Sequence, residues 1–84
     1  HNLPSIPAPA AEIQDGIGLL ALFVKAGLAS SNGEARRHVK GGAVRLNDQQ
    51  ITDEKRTVDS GDVTDDGIIK LSLGKKKHVL VRPA

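Results

Sequence analysis

Arg36, Arg37 and Lys40 place three cations within five consecutive positions, with Ser31 and Asn32 just ahead of them. Arg36 and Lys40 are four apart, so on a helix they stack on one face with Arg37 beside them. Ser31-Asn32-Gly33-Glu34 fits a capping box, in which the Ser31 hydroxyl accepts from the Glu34 amide and the Glu34 carboxylate reaches back to the Ser31 amide. A helix starting there aims free amides toward Ser31 and Asn32, an arrangement that favours phosphate. Downstream, Arg45 and Asn47 point away from Val44 and Leu46 on an alternating stretch and extend the same polar surface. Lys75-Lys76-Lys77 forms a second basic cluster. The chemistry these residues offer together is neutralisation of an anionic polymer. The plain alternatives are a solvated helix face and an edge-protecting, solubilising turn.

Bond-breaking chemistry has a poorer inventory. His1, His38 and His78 lie far apart, cysteine is absent, and no spacing resembles a zinc site. No Gly-rich loop joins a strand to a helix as phosphate-binding loops require. The carboxylates concentrate in a loop-like stretch, where such runs are ordinarily solvated. Neither catalytic nor metal-binding residues are expected, and the chain alone is not expected to be an enzyme.

Charge is segregated along the chain. The net values are −2 over residues 1–24, +4 over 25–47, −5 over 48–66 and +5 over 67–84. Two basic blocks separated by an acidic one suit an anionic partner bound on one face. Single-stranded nucleic acid is held by stacking on aromatic rings, and the single aromatic residue here, Phe23, sits at a core position. Recognition should therefore run through phosphates, 2′-hydroxyls and shape, as for folded RNA. A DNA-reading helix would direct Asn, Gln or Arg side chains at base edges over several turns. The short basic stretch at 31–41 does not.

These residues need a scaffold. His1 to Asp15, with Pro4, Pro7 and Pro9, predicts an extended linker, leaving 16–84 as the domain. Leu19, Leu20, Phe23 and Val24 recur at helical spacing, and Gly27 marks a left-handed stop with Leu28 folding back over the last turn. Ala35 and Val39 face inward on a second helix ended by Gly41-Gly42. Ala43 to Asn47 alternates as a half-buried strand, Asp48-Gln49-Gln50 reads as a polar turn, and 52–67 as loop with a short strand near Val58. Ile68–Leu73 and His78–Val81 predict a hairpin across Gly74-Lys75-Lys76-Lys77. The class is α+β, two short helices on a small, mostly antiparallel sheet. The longest apolar run, Ile17 to Val24, is short of the roughly 20 residues of a membrane span. No basic stretch precedes it, so a signal peptide is not expected either. The opening His1 in place of Met leads to the expectation of a chain cut from something longer or trimmed.

From Gly27 to Asn47, and above all at Ser31…Glu34-Ala35-Arg36-Arg37, Gly41-Gly42 and Val44-Arg45-Leu46-Asn47, the sequence resembles the alpha-L RNA-binding motif. The resemblance implies that Ser31, Asn32, Arg36, Arg37, Lys40, Arg45 and Asn47 face RNA. The lead-in from Leu19 to Ser31 and the ending Gly74 to Val81 are similar to the C-terminal domains of bacterial tyrosyl-tRNA synthetases. That resemblance implies a tRNA-holding module in the cytoplasm, fused behind a catalytic domain that alone would use ATP and magnesium. Pseudouridine synthases and ribosome-associated proteins carry the same motif at their N-terminus. A motif lying behind a Pro-rich stretch favours the synthetase arrangement. Asn32 stands where the wider family often has Arg, and His38 at a usually aliphatic position. A protein-docking module built on the first helix is the alternative of another class, and an exposed Leu/Phe stripe would mark it.

Overall fold

The computed structural model describes residues 3–84. Its elements in order are β1 (Ser5–Ala8), α1 (Ala10–Asp15), β2 (Ile17–Gly18), α2 (Leu19–Lys25), α3 (Asn32–Lys40), β3 (Val44–Leu46), β4 (Gln49–Gln50), β5 (Thr57–Val58), β6 (Ile69–Leu73) and β7 (Lys77–Pro83), with a 3-10 turn at Ser60–Asp62. The main sheet has the order β1-β7-β6-β3-β4, antiparallel throughout except for β1 beside β7. β2 and β5 form a separate antiparallel pair. The α+β class holds.

The linker expectation fails over residues 5–15. The stretch is extended at β1, but it is paired with β7, and Ala8 and Ile13 are buried at 1% and 2% exposure. The prolines that argued for a linker are compatible with an edge strand, which needs hydrogen bonds on one side only. Here the carbonyls of Pro4 and Ala8 accept from the amides of Leu80 and Ala84, so no proline N–H is missed. α1 is a single short helix, ended by Gly16 at φ 93°.

α2 starts at Leu19, because Ile17 and Gly18 are taken up in pairing with β5. Leu19, Leu22 and Phe23 form its buried stripe. Both main helices stop by the same device. After α2, the Leu28 amide bonds the Phe23 carbonyl and the Gly27 amide that of Val24. After α3, Ala43 bonds His38 and Gly42 bonds Val39. Gly27 and Gly42 supply the positive φ, 78° and 77°, that this closure demands.

Helices and sheet meet in one core of Leu19, Leu22, Phe23, Ala35, Val39, Val44, Leu46, Ile69, Leu71, Val79 and Val81, with Val58 sealing one side. With one aromatic side chain at its centre, truncating Phe23 to Ala would remove about 3–5 kcal/mol, a large share of the roughly 5–15 kcal/mol that holds a native domain together. The polar turn expected at 48–50 starts one residue earlier and is tighter, because Gln49 and Gln50 are already strand. Asn47 and Asp48 both have positive φ, 51° and 70°, as a two-residue hairpin of the primed type requires, and Gln49–Gln50 pairs back on β3.

Candidate nucleic-acid interface

α3 presents the expected cations. Ser31 is its N-cap, and the hydroxyl accepts from the Glu34 amide at 3.2 Å. The reciprocal arm differs from expectation. The Glu34 carboxylate accepts from the hydroxyl of Ser30 at 2.7 Å and from its amide at 3.4 Å, not from Ser31. These hydrogen bonds from Ser30, with a smaller contribution from His38 3.6 Å away, hold the Glu34 carboxyl below the usual carboxylate range. The helix start is thus supplied with a negative charge of its own, and only exposed Asn32 in the first turn has no side-chain bond among the described residues.

With Ala35 and Val39 in the core at 1% exposure, Arg36, Arg37 and Lys40 are turned out to solvent. Glu34 is indeed occupied at the cap, but an acid does reach the cations from outside the helix. Glu54 Oε2 lies 3.5 Å from Arg36 Nε and 3.8 Å from Lys40 Nζ. Among the described residues, Arg37, Arg45 and Lys75 to Lys77 have no acidic partner.

The second basic cluster is brought beside the first. The Gly74 amide donates to the Ala43 carbonyl at 2.8 Å, and Leu73 stands opposite Val44. The exposed turn Gly74-Lys75-Lys76, with Lys77 opening β7, therefore abuts the junction where α3 passes through Gly41-Gly42 into β3. Its rim is fixed by His78, whose Nε2 is 3.2 Å from the Lys75 carbonyl.

Two predicted residues lie elsewhere. Arg45 is exposed between buried Val44 and Leu46, so it points from the sheet face opposite the helices, in a row with Ser72 and His78. It does not extend the α3 surface. Asn47 is a latch: its side-chain amide donates to the Asp62 carbonyl at 2.6 Å, and its side-chain oxygen accepts from the Lys70 amide at 2.9 Å. Having turned through positive φ, Asn47 is committed to joining the hairpin to the acidic loop. That loop is itself ordered by Arg56, whose guanidinium grips Asp62 with a closest approach of 2.6 Å. The Asp62 hydrogen bond raises the Arg56 pKa further above its already high range. Asp59 and Asp62 cap the 3-10 turn between them. Part of the acidic block is therefore structural rather than solvated.

No group of His, Asp and Glu among the described residues is arranged to hold a metal ion. No helix among them is long and apolar enough to cross a membrane.

Residues 2–81 match the family described as the tyrosine–tRNA ligase SYY-like C-terminal domain. The chain belongs to that family. It is 71% identical over 83 residues to the tyrosine–tRNA ligase of Rhizobium meliloti (99% of the chain), and 65% identical over 84 residues to that of Agrobacterium fabrum (the whole chain). The tyrosine–tRNA ligase of Mesorhizobium japonicum is 61% identical over 83 residues. In each case the chain spans 20% of the relative's length.

In this tyrosine–tRNA ligase C-terminal domain, then, the helix and the lysine turn come together, while Arg45 and Asn47 separate from them. The residue that sequence reasoning missed is Glu54. It stands in a run of acids and hydroxyl residues, and nothing local distinguishes the carboxylate that reaches α3 from those that do not.

Proposed function

We propose that this chain is an RNA-binding module that holds tRNA for a catalytic domain, one that activates tyrosine with ATP and magnesium and transfers it to that tRNA. The observation that carries the reading is the junction of two basic clusters, Arg36, Arg37 and Lys40 on α3 and Lys75 to Lys77 on the adjoining turn, tied by the Gly74–Ala43 hydrogen bond. Family membership supports tRNA as the particular RNA and tyrosine–tRNA ligation as the activity of the longer protein, in the cytoplasm. Phe23 is 1% exposed, which supports recognition through phosphates and shape rather than stacked bases. Ser31 and Asn32 would contact RNA only at the rim, because Glu34 already occupies the helix start. The docking alternative has weaker support, since Leu19 and Phe23 are buried and Leu20 is half-buried against the core. The chain by itself binds and does not aminoacylate.

The test is tRNA affinity as a function of salt. Neutralising about four phosphates gives a log–log slope near −3. A slope near zero would overturn the reading.

A further inference from the structure

The gap between Arg36 and Lys40 is occupied by a side chain from outside the helix. Glu54 enters it from the loop that follows β4, and one oxygen, Oε2, lies within 4 Å of both cations, at 3.5 and 3.8 Å. That oxygen is shielded from solvent and accepts no hydrogen bond. Charge-assisted N–H···O bonds ordinarily close to about 2.7–2.9 Å, so Glu54 offsets two charges without bonding either cation well. The cations are set one helical turn apart, and their side chains are 53% and 68% exposed, open to a better-fitting anion.

We propose that Glu54 is a displaceable stand-in for one RNA phosphate. The Arg36–Lys40 gap is a single-phosphate site, masked by Glu54 in the free domain and vacated when a phosphodiester enters. This rests on the RNA-binding reading above and adds a site to it. A phosphate offers two non-bridging oxygens, one for each cation, where Glu54 offers a single shared one. The mask also sets a threshold. A lone anion must displace Glu54 unaided, whereas an RNA that also engages Arg37 and the lysine turn gains contacts that offset the displacement.

The experiment compares Glu54→Gln with the unaltered chain in tRNA binding at one fixed low salt concentration. Gln keeps the volume and removes the charge. Binding should tighten about fivefold, the effect of one unit charge across 4 Å of water. The gain should vanish when Glu54→Gln is made on an Arg36→Gln/Lys40→Gln background. Unchanged or weaker binding, or a gain that survives on that background, overturns the proposal. Should Gln at this position prevent folding, Glu54→Ala is read in the same way. Inorganic pyrophosphate, followed through the Arg36 Nε–H signal by NMR, separates this proposal from the broader reading. If no form binds tRNA, the RNA reading fails. Tighter pyrophosphate binding by Glu54→Gln still upholds the masked site, and equal binding overturns it.

Discussion

Ser72 and His78 face each other across β6 and β7, and Ser72 Oγ lies 2.8 Å from His78 Nδ1. Ser72 is the one buried polar residue among those described, at 1% exposure. With His78 Nε2–H donating to the Lys75 carbonyl, Nδ1 accepts from the Ser72 hydroxyl, so one ring satisfies a buried hydroxyl and ties down the lysine turn.

His78→Phe should accordingly cost about 1–3 kcal/mol, because a buried hydroxyl loses its partner. Ser72→Ala added to it should recover part of that loss, since removing both polar partners is milder than stranding one. Urea unfolding of the two single variants and the double variant gives the coupling. Additive losses would show that the pair does not act as a unit.

Changing Arg36, Arg37 and Lys40 together to Gln should reduce tRNA affinity at least tenfold, about 1.4 kcal/mol. Gln is a good helix former, and exposed ion pairs contribute about 0–1 kcal/mol, so the melting midpoint should move little. Thermal unfolding of the same variant distinguishes lost contacts from lost structure. Retained binding would leave these cations as a solvated face only.

Asn47→Ala should act on stability and not on RNA. It strands the Lys70 amide and the Asp62 carbonyl and places a Cβ residue without a compensating side-chain bond at φ 51°. The expected cost is about 2–4 kcal/mol. Asn47→Gly, which relieves only the backbone, should lie between Ala and the original. Measured where each variant remains folded, tRNA affinity should be unchanged. A selective loss of affinity would return Asn47 to the interface.

Glu34 makes the acid side of the stability curve informative. Its folded pKa lies below the ordinary carboxylate value, so its contribution is fully present above the unfolded pKa of about 4.5 and fades as pH falls through the folded value. Stability should therefore decline below about pH 4.5, and Glu34→Gln should decline less over the same range. Urea midpoints at pH 7 and pH 3 for both proteins test this. Parallel declines would show that other carboxylates account for the whole effect.

The parts of the fold legible in the sequence are those governed by local periodicity and chain-reversal residues. The inward places of Leu19 and Phe23, the Ser31 cap, and Gly27 and Gly42 each act within about four residues of themselves, although the spacing put Leu20 and Val24 on the stripe where the structure buries Leu22 and leaves those two half-buried. The β6–β7 hairpin is local as well. What eluded the sequence depends on distant partners. Three prolines in the first nine residues read as linker until β7 supplies a strand on which an edge with few donors can lie. Alternation correctly placed Arg45 opposite Val44 and Leu46. It could not reveal that the helices cover the other side, or that Asn47 had already turned the corner. Glu54 is the same case at the site itself, since its meaning comes from side chains 14 and 18 positions away.

The pairing of β1 with β7 sets Ser5 against Leu80, near opposite ends of the chain. Such a contact closes the longest loop among the described residues, and its closure entropy must be met before its hydrogen bonds contribute. The β6–β7 hairpin closes a far shorter one. Refolding should thus assemble helices and hairpin first and add β1 last. In the native state the same seam should open ahead of the rest, so hydrogen exchange at Ile6 and Leu80 would run faster than at the central strands without global unfolding.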